Sequence, residues 1–115
     1  MAGQVNTFKT VTANITTSNT VVYTTPYGIT SIILMAQVAN VTESNHNVSF
    51  THISNRGEDD GEKTELLKNY TVLKNDAATL LTGKLIVQQN NSVEIYSSSN
   101  NALKLTMSVL ETTNA

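Results

Sequence analysis

Residues 20–42 read TVVYTTPYGITSIILMAQVANVT, and this stretch decides the fold because it holds a short strand, a turn and a long strand in direct succession. The run VVY contains β-branched and aromatic residues, which fit a pleated sheet. Pro26 and Gly28 then favour a turn, since proline presets φ and glycine tolerates the conformation that closes it. From Thr30 the sequence is apolar on both faces except at Gln37, which predicts a strand covered on both sides, in the middle of a sandwich or against a neighbouring subunit. One predicted face holds Ile32, Leu34, Ala36 and Val38, and the other holds Ile33, Met35, Ala39 and Val41.

Further strands with alternating polarity flank this stretch on both sides. The clearest is residues 102–111, where Leu103, Leu105, Met107 and Val109 share one face. Residues 64–73 carry apolar side chains at helical spacing, but their length and β-branched content favour a strand. The other predicted strands are residues 8–17, 47–54, 77–81, 84–88 and 92–97.

The spacing of these segments indicates the fold class. About eight strands recur every 8–12 residues or so, which is typical of a sandwich, jelly roll or small barrel. We therefore expect an all-β protein, an antiparallel β-sandwich of jelly-roll-like form. Its 115 residues suit a single domain over residues 1–115, with residues 1–7 as a short extended N-terminal arm.

The composition argues against several classes of partner. The formal net charge is −2 and there is no Lys/Arg cluster, so neither nucleic acid nor a membrane surface is an expected partner. The absence of cysteine excludes a disulfide framework within this sequence. The opening MAGQVNTFKT lacks the apolar core of a signal peptide. Only 14% of the residues are charged, which favours a subunit that is packed in an assembly over a free monomer.

The acidic loop at residues 55–63 is the first candidate for chemistry. The loop and the residues just after it hold five acidic residues within eight positions, namely Glu58, Asp59, Asp60, Glu62 and Glu65. A glycine-containing acidic loop can bind calcium, but EDDGEKTE does not follow the EF-hand pattern, and Arg56 and Lys63 partly neutralise it. We expect a solvated loop tip and no metal site.

Histidine and serine offer no better case for catalysis. His46 and His52 could share a strand face, but a metal needs a third ligand that the sequence does not supply nearby. No serine lies in a known nucleophile motif, and no phosphate-binding loop occurs. The sequence therefore predicts a protein that is not an enzyme, with no catalytic, cofactor-binding or metal residues and no cofactor.

Two features of the sequence bear on glycans. Five N-x-S/T sequons begin at Asn14, Asn40, Asn47, Asn69 and Asn90, about as many as the composition produces by chance. Exposed tyrosines can form a sugar-binding platform, and the candidates are Tyr23, Tyr27, Tyr70 and Tyr96. Such a platform requires the aromatic side chains to cluster at one loop end, so glycan binding is a minor alternative.

The order of the segments resembles that of small virion structural proteins of tailed bacteriophages, over roughly residues 14–112. The strongest shared features are Tyr23…Pro26…Gly28 and Leu80…Gly83-Lys84. Tyr27 and the long acidic loop depart from the family pattern, and both are candidate partner contacts. The matching stretches are residues 21–41, 47–53, 80–87, 92–96 and 102–111.

The resemblance implies a non-enzymatic structural protein of a bacteriophage virion, assembled in the host cytoplasm. The favoured role is capsid decoration or cementing, in which residues 1–8 and exposed strand edges bridge neighbouring subunits. The alternatives are a neck, collar, tail or baseplate component, or a receptor- or glycan-binding module on the virion. The implied partners are other virion proteins, with the chain as a homo-oligomer or bound to a lattice.

Overall fold

A computed structural model describes residues 5–54 and 61–114, in which all of the regular structure is β. The all-β prediction is therefore confirmed. The strands are β1 (Asn6–Asn14), β2 (Thr20–Thr24), β3 (Ile29–Asn40), β4 (His46–Ser54), β5 (Glu62–Val72), β6 (Ala77–Thr79), β7 (Leu85–Val87), β8 (Ser92–Ser97) and β9 (Leu103–Thr113).

The strands form two antiparallel sheets. Sheet A has the order β1-β9-β3-β6, and β7 also pairs with β3, whereas sheet B has the order β2-β8-β4-β5. Because β6 and β7 pair with different stretches of β3, they share one column of the sheet. Each sheet is thus four columns wide, and the chain crosses repeatedly between them. This is the predicted jelly-roll-like sandwich.

The core lies between the inner faces of the two sheets, as the alternating pattern predicts. The four apolar residues predicted to face inward on β9 are all buried. From sheet B, the inner faces of β4 and β8 contribute Val48, Phe50, Val93 and Ile95, all buried as well. Period-two alternation was sufficient to identify the four core residues of β9.

The strand β3 differs from its prediction. Its register against β9 shifts between Ile33 and Met35, so that Leu34 is an extra residue and forms a β-bulge. Ser31 and Ile33 are buried before the bulge, and Ala36 and Val38 are buried after it. The strand reads as apolar on both faces because its buried face changes phase at Leu34. The predicted assignment of residues to the two faces was therefore wrong, since Ile33 shares the buried face with Ala36 and Val38.

The predicted boundaries of β1 and of the acidic loop also need correction. The strand β1 begins at Asn6, so Asn6 and Thr7 belong to sheet A and not to an extended arm. Val5 is tied to the sheet as well, because its N–H donates to Thr113 Oγ1 at 3.1 Å. Residues 1–4 of the predicted arm, and residues 55–60 of the predicted loop, lie outside the described residues. Glu62 and Lys63, predicted in the loop, belong to β5, which confirms the strand interpretation of the segment that follows them.

Asparagine supplies the backbone conformation that several turns need. Asn75, Asn90 and Asn101 have φ values of 55°, 65° and 60°, and each lies in a turn between two of the predicted strands. Asn69, with φ 50°, lies in β5 where its register shifts against β4. Asparagine tolerates this left-handed region better than most residues, which accounts for part of its abundance.

Candidate functional site

A row of large apolar side chains crosses the outer face of sheet A. Backbone pairing aligns Phe8 with Leu110, Leu110 with Ile32, and Ile32 with Ile86, across four neighbouring strands. Phe8 is 73% exposed and Ile86 is 60% exposed, while the two central residues are half-buried. We call these four residues the apolar row. The outer face of a free sandwich is normally polar, so this row is the main candidate for an interaction surface.

The rest of this face is nearly uncharged. Among the described strand residues that point outward from sheet A, the only charged one is Lys104, whose Nζ donates to Asn14 Oδ1 at 2.7 Å. Met35 lies beside the apolar row and is 38% exposed. The remaining outward positions hold mainly threonine, serine, asparagine, glutamine and alanine. The face is therefore neutral, with its apolar area concentrated near one end.

The two long edge strands of the sandwich are protected to different degrees. The edge strand β5 carries Glu62, Lys63, Glu65 and Lys68, and its register against β4 shifts twice, which discourages further strand pairing. The edge strand β1 has nine residues, a regular register and a single charge at Lys9. Of the two, β1 is therefore the better template for added main-chain hydrogen bonds.

A polar groove of about 330 Å³ lies on sheet B. At its base the carboxylate of Glu94, a residue only 6% exposed, accepts from Lys63 Nζ at 3.2 Å. Lys68 pairs with Glu65 at 2.9 Å. The two positive and two negative side chains balance in charge, so the groove does not attract an ion of either sign. The lining residues are Asn19, Thr51, Lys63, Glu65, Lys68, Glu94 and Tyr96.

The histidines and acidic residues are not gathered into one site. His46 begins β4, and His52 lies on the same strand opposite Val93 and Thr64, where burial lowers the pKa of its imidazole. Within residues 5–54 and 61–114, no three His, Cys, Asp or Glu side chains are grouped so as to hold a metal ion. The same ranges contain no helix of the length and hydropathy needed to cross a membrane.

The tyrosines are dispersed through the fold. Tyr23 is in the core, and Tyr27 is 82% exposed in the turn between β2 and β3. Tyr70 lies on the edge strand β5, and Tyr96 lines the polar groove. This distribution does not form the cluster that a glycan platform needs. Among the sequon residues, Asn40 is buried and its amide donates to the backbone oxygens of Ser44 and Val72, so it is not available for modification.

A buried polar cluster joins the two sheets, and we call it the Tyr23 network. The phenol of Tyr23 donates to Glu111 Oε2 and lies 2.6 Å from Ser31 Oγ. Because its one hydrogen goes to the carboxylate, the Ser31 hydroxyl donates to the phenol oxygen. Lys9 Nζ lies 3.2 Å from Glu111 Oε1. Burial, and then the hydrogen bond to Glu111, raises the pKa of Tyr23 to about 12.

The sequence carries one signal for both the apolar row and the Tyr23 network. The alternation of β9 already places Leu110 outward and Glu111 inward, against the usual preference of each residue type. The alignment of Leu110 with Phe8, Ile32 and Ile86 depends on strand register. Register between strands far apart in the chain cannot be read from single-strand periodicity.

Comparison with known proteins shows similarity of fold. A solved structure of Bacillus endospore appendages, described as disulfide-linked pili, matches with a TM-score of 0.57 and 11% identity over 97% of this chain and 89% of that one. The T13 viral particle of infectious bursal disease virus (IBDV) matches with a TM-score of 0.56 and 11% identity over 95% of this chain and 31% of its own. The Gx strain of that virus gives 0.57 and 8%, over 97% of this chain and 33% of its own.

These similarities define the class of fold and no more. The chain spans about a third of the length of the viral proteins it matches and most of the length of the pilus protein. No known family matches the sequence, and no curated protein is significantly similar to it. The fold is therefore a β-sandwich of the kind found in viral particles and in a bacterial pilus.

Proposed function

We propose that the chain is a non-enzymatic structural protein of a virion, and more specifically a subunit that decorates or cements the capsid of a tailed bacteriophage. The observation that carries the proposal is the outer face of sheet A, where only Lys104 is charged among the described strand residues and four large apolar side chains are aligned. Such a face suits a subunit that is covered in its working state.

Two further arguments support this class of function. The fold is similar to those of capsid subunits and of a pilus subunit, which are parts of assemblies. The order of segments in the sequence also resembles that of small virion proteins of tailed bacteriophages. This sequence has no cysteine and can form no disulfide, and many copies bound side by side would bind strongly through avidity.

The mechanism that we propose is adhesion. The unprotected edge of β1 can add a strand from a neighbouring subunit through main-chain hydrogen bonds. Residues that precede β1 would act as the bridging arm. Since Asn6 and Thr7 pair with Thr112 and Glu111, a truncation that tests the arm should stop at Gln4 and leave β1 intact.

The alternatives differ in where the subunit lies on the particle. A neck, collar, tail or baseplate component would use the same faces and edges. A receptor- or glycan-binding module is less favoured, because the tyrosines are dispersed and the polar groove contains only Tyr96 among them.

Gradient-purified particles from the source culture provide the test. We expect mass spectrometry to find the chain in the particle band at many copies per particle, and immunogold labelling to mark the heads. Labelling at the neck or tail would replace the capsid role with the corresponding alternative. Absence of the chain from purified particles would contradict the virion proposal.

A further inference from the structure

We propose that the outer face of sheet A binds the same face of a second copy of the chain, through a two-fold axis that runs parallel to the strands. This inference deepens the proposed function by naming one homotypic contact of the subunit. It is carried by the alignment of Phe8, Leu110, Ile32 and Ile86 and by the lack of charge around them.

The dimensions of the face suit an interface between two copies. Four rows of outward side chains extend from Phe8 to Asn14 along β1, and the pairing continues across four strand columns. With about 6.8 Å between rows and about 4.8 Å between strands, the patch measures roughly 27 by 19 Å. Two such patches would bury about 1,000 Å² in total, at the lower limit of specific interfaces.

Two-fold symmetry makes the apolar row complementary to itself. With the axis parallel to the strands and midway between β9 and β3, each row lies opposite the same row of the other copy, in reversed strand order. Phe8 then lies opposite Ile86 of the second copy, and Leu110 lies opposite Ile32. The most exposed side chains, at the two ends of the row, thus cover each other.

The same symmetry avoids a repulsion between like charges. Lys104 is paired with Ala39 on β3, three rows away from the apolar row. Because the order of the strands is reversed in the second copy, Lys104 lies opposite Ala39 of that copy, and not opposite the other Lys104. A neutral face also carries no charge pattern that would select a charged partner of different sequence, which favours a second copy as the occupant.

Sedimentation velocity tests the association between micromolar and millimolar concentrations. We expect a monomer–dimer equilibrium for the wild-type chain and a dissociation constant at least about tenfold higher for Ile86→Lys, which places one charge against each Phe8. Val21→Lys is the matched control, because Val21 is a β-branched residue, 50% exposed, on sheet B. Circular dichroism establishes that both variants are folded.

Chemical cross-linking tests the orientation and does not depend on the lysine variants. The chain has no cysteine, so Phe8→Cys and Ile86→Cys each introduce one thiol. Packed sheets are about 10 Å apart, which is too far for a direct disulfide but suits a short bis-maleimide. We expect a mixture of the two variants to cross-link more efficiently than either variant alone, and a mixture of either with Val21→Cys to cross-link poorly.

Three results would overturn the inference: a wild-type monomer at millimolar concentration, equal association of Ile86→Lys and Val21→Lys, or cross-linking that does not depend on position. These outcomes are separate from failure of the proposed function. A chain that bands with particles but does not self-associate would remove only the two-fold contact. A chain that forms this dimer but is absent from particles would remove only the virion role.

Discussion

At the scale of single residues, the Tyr23 network is a polar contact across the core. Tyr23 lies on sheet B, whereas Ser31, Glu111 and Lys9 lie on sheet A. Glu111 is only 7% exposed, so its charge depends on the phenol and the ammonium group for compensation. The network therefore fixes the position of β2 relative to β9 more precisely than nonpolar packing alone would.

Replacing Tyr23 by phenylalanine should destabilise the protein by about 1 to 3 kcal/mol, because the variant leaves a buried carboxylate with one partner fewer. Urea unfolding monitored by circular dichroism measures the effect. Tyr27→Phe is the control, since Tyr27 is 82% exposed and should leave the free energy of unfolding unchanged. Equal stability of the two variants would mean that the network does not stabilise the fold.

The raised pKa of Tyr23 predicts a dependence on alkaline pH. The folded state holds the phenol proton to about pH 12, whereas the unfolded chain releases it near 10.0. The resulting stabilisation, about 2 to 3 kcal/mol for a shift of this size, is complete below pH 10 and is lost as the pH rises through 12. The difference in stability between the wild type and Tyr23→Phe should shrink over this interval, and a constant difference would contradict the assignment.

At the scale of elements, β3 shows what sequence patterns can and cannot predict. Its existence, its length and the turn before it follow from β-branched residues, Pro26 and Gly28. The bulge at Leu34 does not, because residues 32–36 are all apolar and fit either phase equally well. The sequence of residues 64–73 was also ambiguous between a helix and a strand. In the structure this segment is part of β5 and pairs with β4 as a strand.

The bulge predicts an unusual tolerance to deletion within β3. Removing Leu34 would leave Ile33, Ala36 and Val38 in a single regular alternation, so the core residues would keep facing inward. Removing Gln37 instead would turn Val38 away from the core. We expect the Leu34 deletion to fold with reduced stability and the Gln37 deletion not to fold, as judged by circular dichroism and gel filtration. Identical behaviour of the two deletions would contradict the phase change.

At the scale of the whole molecule, the sandwich depends on pairings between distant parts of the chain. The first strand pairs with the last, Asn6 opposite Thr112, and β9 also fills the position between β1 and β3. Folds dominated by such pairings fold slowly, because loop closure must precede the contacts that stabilise it. We expect refolding in milliseconds to seconds by stopped-flow tyrosine fluorescence, and a microsecond phase of full amplitude would contradict this.

The position of β9 has a consequence for synthesis on the ribosome. Since β9 lies between β1 and β3, β1 has no partner in sheet A, and β3 has only the short strands β6 and β7, until β9 has been translated. Sheet A therefore stays incomplete at its centre while some seventy residues after Asn40 are added. The polypeptide thus acquires its stable form only after β9 has been translated. Until then, β3 is a segment that chaperones can bind.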